Sequence, residues 1–322
     1  MSATPSLSVV MPVRNAAQHL NASVSSIASQ TFQDFELIIL DDASADGSQA
    51  LLQRWVGQDP RIRLHRTECP LGVVGSSNFV VAQARAPLVA RMDADDISHP
   101  DRLARQWEVM RSRPDVGLVA SLCDGIDALG RRVRPRDRWR LVRRSLSPPF
   151  PHGAVMFRRS IFDDLGGYRQ ACAGWEDQDL FLRFSEKAEI AVIPEVLYHY
   201  RFHTSSATTA YDERAEALRS MCIAERRAGR DYTPLLAADP PRITSGDAIR
   251  SAAAMRLWAG TSPAVFRTLL RRRAAAGALL WAAWATLNPW SLRALSRCVI
   301  RARDLAAGCL LRGEKTYPWR YE

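Results

Sequence analysis

The first hundred residues alternate short apolar runs with stretches of helical spacing, and this alternation limits the chain to few architectures. Four runs of strand length lie at 7–13, 35–40, 61–65 and 87–92, and all but the third are mainly apolar. Between the first two runs, apolar side chains recur at the interval of an amphipathic helix. We also predict a helix at 77–84 and, further along the chain, a strand at 190–193. Strands that alternate with helices build a mostly parallel sheet covered on both faces, so we predict an α/β fold.

Acidic residues stand at two predicted strand ends, where ligands of such sheets bind. Asp41 and Asp42 follow the second run, and Asp93, Asp95 and Asp96 follow the fourth. Two carboxylates one residue apart supply oxygen ligands that a hard divalent cation can share with substrate phosphates. An acidic turn without any ligand is the alternative interpretation.

Strand side chains alternate between faces, so only one of Asp41 and Asp42 is expected to face the ligand cleft. The alternative is a turn that caps the following helix, for which Asp46 and Ser48 are equally suitable. The residues alone leave both interpretations open.

A third acidic segment, WEDQDL, precedes a helix predicted around 180–184. It contains Glu176, Asp177 and Asp179. A carboxylate in this position can accept the proton of an attacking hydroxyl if the two groups lie within about 3 Å of each other. Alternatively, these acids only complement the helix dipole.

From residue 211 the sequence becomes rich in Ala and Arg and carries no further strand pattern. We therefore predict a first domain at 1–210 and a basic helical appendage at 211–322, which holds 19 Lys and Arg against 10 Asp and Glu. This charge suits an anionic membrane surface or nucleic acid, or forms a solvated helical face. The uncharged run at 274–287 is too short to span a bilayer, and fits either an interfacial helix or a buried hairpin.

The cysteine pattern and the N-terminus favour a cytoplasmic protein, peripheral to the membrane if the appendage binds it. Six scattered cysteines form no CxxC pair, and the first residues lack the basic and apolar regions of a secretory signal. The sequence also lacks the GxGxxG and GxxxxGK[ST] phosphate loops, which argues against a dehydrogenase or a P-loop enzyme.

Five segments resemble the family-2 glycosyltransferases of the GT-A fold, over roughly residues 7 to 205. In chain order they read SVVMPVRN, SQTFQDFELIILDDASADGS, LGVVGSSNFVVAQARAPLVARMDADDISHPDRL, HGAVMFRRSIFDDLGGYR and GWEDQDLFLRF. The resemblance implies a GT-A-type sheet flanked by helices and a nucleotide-sugar donor.

The same resemblance implies a nucleotide pocket lined by Pro12, Val13 and Arg14. Asp42 would contact the base, and Asp93 the ribose or the metal. Uridine diphosphate fits the family pattern at Asp42, while thymidine and guanosine diphosphates stay open.

The resemblance further implies a metal site and a catalytic base. Asp95 would bind Mn²⁺ or Mg²⁺, and His203 would be a third metal ligand or an ordinary surface histidine. Asp177 would be the general base of an inverting transfer, supported by Glu176.

The acceptor would lie beside His152 and Trp175. The QxxRW motif of processive synthases is missing, which implies transfer of a single sugar to a carbohydrate or lipid-linked hydroxyl, in surface polysaccharide or glycolipid synthesis. The competing hypothesis is a nucleotide- or nucleic-acid-binding protein that uses the basic region. We expect that the chain does not bind nucleic acid, because the acidic clusters would repel phosphate unless a metal were bound.

Overall fold

The computed structural model describes residues 4–133, 150–203, 222, 231–237 and 319–321. The chain divides into two compact units, Met1–Tyr211 with Pro318–Glu322, and Asp212–Tyr317. Most of the second unit lies outside the described residues. The helical character predicted for 211–322, the run at 274–287 and most of the arginine-rich stretch 131–144 therefore stay predictions.

The strands of the described residues belong to one sheet. They are β1 (Leu7–Val13), β2 (Phe35–Asp42), β3 (Ile62–Thr67), β4 (Leu88–Arg91), β5 (Ile97–Ser98), β6 (Val116–Ile126), β7 (Arg132–Val133), β8 (Val155–Arg158), β9 (Glu189–Arg201) and β10 (Trp319–Tyr321). Their order is β10-β9-β6-β8-β4-β1-β2-β3, with β5 beside β9 and β7 beside β6.

The described helices lie between these strands. They are α1 (Ala17–Ala28), α2 (Ser48–Gln58), α3 (Gly72–Ala82), α4 (Arg102–Ser112), α5 (Arg159–Asp164), α6 (Glu176–Lys187) and α7 (Thr233–Ala237), with 3-10 turns at His152–Ala154 and Gln170–Cys172. Within the described ranges, no helix is both long and apolar enough to cross a bilayer.

The predicted mostly parallel α/β sheet is confirmed. The centre of the sheet is parallel, with β1 hydrogen-bonded to β2 on one side and to β4 on the other. β8 runs antiparallel between β4 and β6. Because side chains alternate along β1, Val9 and Met11 pack in the core under α1, α2 and α4, whereas Val10 packs under α3 and α6.

Among the elements that are longer than their sequence patterns predicted are β9, α6 and α3. β9 was expected to end at residue 193, but it continues to Arg201 because it pairs with β6 as far as Ile126. α6 begins at Glu176, so the acids lie in its first turn rather than before it. α3 begins at Gly72 instead of Ser77, since a carboxylate from β2 binds its first N–H groups.

A buried arginine at the start of α4 connects the segments around the sheet edge. Arg102 is fully buried, and its Nη1 donates to the Arg91 carbonyl at 3.0 Å and to the Gly153 carbonyl at 2.6 Å. Its Nε donates to Ser98 Oγ at 2.8 Å. One guanidinium therefore holds the end of β4, β5 and the turn before β8 together.

We predict that Arg102→Met lowers the free energy of unfolding by about 3 kcal/mol, because it leaves buried acceptors unpaired. Urea denaturation measures the change. The matched control is Arg105→Met, one turn along on the exposed face of α4, which should cost about 0.5 kcal/mol or less. Equal losses in the two variants would contradict the role given to Arg102.

Candidate active site

The carboxyl ends of β1, β2 and β4 form one edge of the sheet, and the loop after β1 lies at this edge. Pro12 is half-buried, Val13 is buried and Arg14 is exposed. Asn15 follows with φ of 50°, and Ala43 after β2 has φ of 53°. Non-glycine residues adopt this left-handed region at an energetic cost, and such positions cluster at functional sites.

The loops after β1 and β2 brace each other. Asn15 Oδ1 accepts a hydrogen bond from Ala45 N at 2.9 Å. The Asp46 carboxylate accepts from Ala17 N at 2.9 Å and from Ser48 N at 3.0 Å, so it binds the first N–H groups of α1 and α2 together. The helix-capping interpretation therefore applies to Asp46, and both loops are shaped by the chain itself.

Both acids at the end of β2 are buried, but they have different partners. Asp41 Oδ1 accepts from Ser44 N at 3.0 Å. Asp42 accepts three hydrogen bonds, two of them from Leu71 N at 2.7 Å and Gly72 N at 3.1 Å. Since a carboxylate has about four acceptor positions, Asp42 holds α3 in place and keeps capacity for one more donor.

Asp93 and Asp95 lie on the turn after β4, and each carboxylate has its own partner. Asp93 Oδ1 accepts from Arg91 Nε at 3.1 Å. Asp95 Oδ2 lies 2.9 Å from Nε2 of His203, just beyond the end of β9. The structure thus brings Asp95 and His203 into contact across more than a hundred residues of sequence. Both acids remain partly open to solvent, at 25% and 31%.

Asp95 and His203 fit a divalent cation as a site with two protein ligands. Within the described parts of the chain, no group of three or more His, Cys, Asp or Glu side chains is placed to hold a metal ion. Mg²⁺ is commonly bound by one or two carboxylates, with waters and substrate phosphates completing its coordination. The Asp95 carboxylate meets that requirement at a partly open position, and the His203 imidazole offers a nitrogen ligand beside it.

The third acid of the turn, Asp96, fixes the end of β9. Its Oδ1 accepts from the Arg201 backbone N–H at 2.7 Å, and Arg201 Nε donates to the Asp95 carbonyl at 2.6 Å. Burial and the neighbouring charges of Asp95 and Asp93 raise the pKa of Asp96 well above its usual value. Arg201 thereby holds the strand end that carries His203 against the acidic turn.

The first turn of α6 carries two acids with unusual proton affinity. Glu176 is buried, its Oε2 accepts from Gly174 N at 2.7 Å, and burial raises its pKa. Burial and the adjacent Glu176 charge raise the pKa of Asp177 to about 7. A helix dipole alone would lower these values. A carboxylate with a near-neutral pKa is suited to accept a proton from a hydroxyl.

Asp179 of the same turn serves the fold. Its carboxylate is fully buried and accepts from Arg183 Nη2 at 2.6 Å and from Arg183 Nε at 3.0 Å. The same guanidinium donates to the carbonyl groups of Leu165 and Gly167. Asp179 therefore anchors α6 on the preceding loop.

His152 and Trp175, predicted beside the acceptor, lie in different surroundings. His152 is half-buried, its Nε2 lies 2.6 Å from Tyr168 OH, and burial and the charge of Arg91 lower its pKa well below the usual value. Trp175 is 2% exposed, and its indole N–H has no hydrogen-bond partner among the described residues. Their contact with an acceptor stays a prediction.

Sequence reasoning missed two buried residues of this site, Arg91 and Tyr198. The charge of Arg91 acts on Asp93 and Glu176, which links the turn after β4 to the start of α6. Tyr198 lies with its hydroxyl 3.4 Å from Asp93 N. The only signal for Arg91 was a charged residue ending an apolar run directly before the acids.

The fold and this acidic edge define the class of GT-A glycosyltransferases. The chain belongs to glycosyl transferase family 2, whose sequence model matches residues 8–166. It is 33% identical over 208 residues to EpsE of Bacillus subtilis (strain 168), a match that covers 62% of this chain and 74% of EpsE. It is 30% identical over 208 residues to the O-antigen biosynthesis protein RfbC of Myxococcus xanthus, covering 62% of this chain but only 16% of that longer protein.

A solved structure agrees on the fold. The mannosyltransferase PcManGT from Pyrobaculum calidifontis, in complex with GDP-Man and Mn²⁺, is similar with a TM-score of 0.60 and 19% sequence identity. The match covers 97% of this chain and 89% of that chain. At this identity the similarity establishes the GT-A architecture alone.

We predict that Gly153→Ala lowers the free energy of unfolding by about 1 to 3 kcal/mol, because a Cβ would lie 1.8 Å from Tyr198 OH and 2.9 Å from Asp93 Oδ2. Urea denaturation measures the change. Gly57→Ala in α2 is the control, since no atom lies within 4 Å of its Cβ, and it should stabilise by about 0.5 to 1 kcal/mol. A Gly153→Ala variant as stable as the parent would disprove this tight contact.

Proposed function

We propose that the chain is an inverting glycosyltransferase that moves a single sugar from a nucleoside diphosphate sugar to a hydroxyl acceptor. The proposal rests on the two pairs, Asp95–His203 and Glu176–Asp177, at one sheet edge. Asp93 interacts electrostatically with Asp95 and with both acids of the second pair. One pair suits a cation that binds a diphosphate, and the other suits proton removal.

For the donor, we assign Pro12, Val13, Arg14 and Asp42 to the nucleotide and Asp93 to the ribose. Strands β2, β1 and β4 are neighbours, so the ends of β2 and β4 lie about 10 Å apart at the usual strand spacing. This is the scale of a nucleoside laid across β1. Uridine diphosphate is the first candidate, and guanosine diphosphate is the main alternative because PcManGT was solved with GDP-Man.

For the metal, we assign Asp95 and His203 as the protein ligands of Mn²⁺ or Mg²⁺. PcManGT was solved with Mn²⁺. When bound, the cation would offset the negative charge that develops on the departing diphosphate. The hydrogen bonds of Arg201 and Asp96 would keep Asp95 and His203 together in its absence.

For the reaction, we assign Asp177 as general base and Glu176 as its support. The acceptor oxygen attacks the anomeric carbon from the side opposite the leaving group. The bond from that carbon to the phosphate oxygen breaks, and the nucleoside diphosphate leaves with the electron pair. The hydroxyl proton passes to the Asp177 carboxylate, so the configuration inverts in one step without a covalent intermediate.

For the acceptor, we assign a carbohydrate or lipid-linked hydroxyl beside His152 and Trp175, in surface polysaccharide or glycolipid synthesis. RfbC, which is named for O-antigen biosynthesis, supports this context. The basic residues 211–322 motivate a cytoplasmic position at the membrane surface. Nucleic acid is not part of the proposal, because the acids at the sheet edge disfavour phosphate unless a metal is bound.

Two variants separate donor binding from turnover. We predict that Asp95→Ala weakens the Mn²⁺-dependent binding of UDP by at least about tenfold. Asp177→Asn should leave that binding nearly unchanged and lower turnover by about 10²- to 10⁴-fold. Calorimetry with UDP, GDP and dTDP, with and without Mn²⁺, measures binding, and release of UDP from UDP-sugars measures turnover.

Asp163→Ala, an exposed acid on α5, is the matched control and should change neither quantity. Equal loss of binding and turnover in the Asp95 and Asp177 variants would contradict the separate roles. Failure of every nucleotide to bind, with or without Mn²⁺, would contradict the proposed function.

The pH dependence of turnover tests the base directly. Because the pKa of Asp177 is raised to about 7, the carboxylate is protonated below that pH and able to accept a proton above it. We predict that kcat rises with pH through a midpoint near 7 and then levels, at saturating donor and Mn²⁺. Residual Asp177→Asn activity should lack this rise, and the same rise in that variant would assign the titration to another group.

A further inference from the structure

Arg91, the last residue of β4, is fixed by its backbone and by its side chain. The side chain is 5% exposed, with Nε 3.1 Å from Asp93 Oδ1 and Nη1 2.6 Å from Ser77 Oγ on α3. Its carbonyl accepts from Arg102 Nη1 at 3.0 Å. A guanidinium stays protonated in proteins, so this position carries a permanent buried positive charge.

Carboxylates from two separate elements interact electrostatically with this charge. Asp93, on the turn after β4, and Glu176, in the first turn of α6, both interact with the guanidinium and favour its charged form. Asp177 also interacts with it. Without a cation here, these acids would repel one another in a largely buried space, where charges interact strongly.

We propose that Arg91 is a positioning residue for the transfer reaction: its guanidinium holds Asp93 in place and supplies the fixed positive charge that keeps the Glu176–Asp177 pair ready to release and accept protons. This inference rests on the proposed role of Asp177 as base. In this arrangement the acids of the site interact with two different cations, the Arg91 guanidinium and the metal ion. Arg91 stabilises the negative charges of Asp93 and of the first turn of α6, whereas Asp95 and His203 would bind the metal.

The hydrogen-bond geometry supports a positioning role over simple charge balance. Nε is used on Asp93 and Nη1 on Ser77, so the planar group is held at two points of its fork. Ser77 is itself fully buried, and its Oγ donates to the Val73 carbonyl at 2.5 Å. The hydrogen bonds that connect α3 to Arg91 and Arg91 to Asp93 therefore fix the orientation of the guanidinium.

The groups that influence the pKa of Asp177 act in opposite directions. Burial, Glu176 and Asp93 raise its pKa, whereas the Gln178 N–H and Arg91 lower it. Tyr168 interacts with Asp177 as well. Removing the charge of Arg91 deletes one of the two lowering influences, so Asp177 should hold its proton to a higher pH.

The test is a pH titration of the metal-free full chain labelled with ¹³C at the Asp carboxyl carbons. The parent should show an Asp signal with a midpoint near 7 that is absent in Asp177→Asn, whereas the signal of Asp96, whose pKa is also raised, should persist in that variant. Arg91→Gln and Arg91→Met, which remove the charge, should move this midpoint upward by about half to one pH unit. Arg91→Lys, which keeps the charge, should leave it close to the parent value.

The matched control is Arg63→Gln, which removes an arginine paired with the buried Glu36 elsewhere on the sheet and should leave the midpoint unchanged. An unmoved midpoint in folded Arg91→Gln or Arg91→Met, or an equal shift in Arg91→Lys, would overturn the inference while the proposed function stands. If Asp177→Asn keeps the signal near pH 7, the assigned base itself is wrong. Far-UV circular dichroism verifies that each variant folds. If either Arg91→Gln or Arg91→Met does not fold, the midpoint of the other variant tests the inference.

Discussion

The hydrogen bonds of the buried Arg102 guanidinium hold together the segments that carry the acidic residues at the sheet edge. Its donors reach the carbonyl groups of Arg91 and Gly153 and the hydroxyl of Ser98, so the end of β4 cannot drift from β5 or from the turn before β8. Burial lowers the pKa of Arg102 to about 10, a value that still leaves it charged at neutral pH. The carboxylates that follow β4 are therefore attached to a rigid part of the backbone.

Charge distribution explains how five acids coexist within a few residues of two element ends. Asp93 is paired with Arg91, Asp95 contacts His203, and Asp96 accepts from a backbone N–H. Burial raises the pKa values of Glu176 and Asp177, that of Asp177 to about 7, so Asp177 is fully ionised only above neutral pH. Acids that share one cleft are thus differentiated by their partners, which is how a site gives similar side chains different chemical roles.

The alternation of apolar runs was enough to predict the α/β sheet, because burial on both faces makes parallel strands uniformly apolar. The acids after β4 and in the first turn of α6 could also be identified, since each group follows or starts a strongly patterned element. The sequence pattern could not predict contacts between segments that are distant in the chain. Asp42 determines where α3 begins, and the pairing of β6 with β9 extends both strands through polar sequence. In the sequence, Arg91 only interrupts an apolar run. In the structure it is a buried charge that interacts with Ser77 on α3 and Glu176 on α6.

The bracing of the loops after β1 and β2 has a thermodynamic consequence. Asn15 and Ala43 hold unfavourable backbone angles, and Asp46 fixes the first turns of two helices at once. The conformational entropy of these loops is consequently lost during folding rather than when a ligand arrives. A molecule that binds there meets a surface already in its final shape, so little of its contact energy is consumed in ordering the protein.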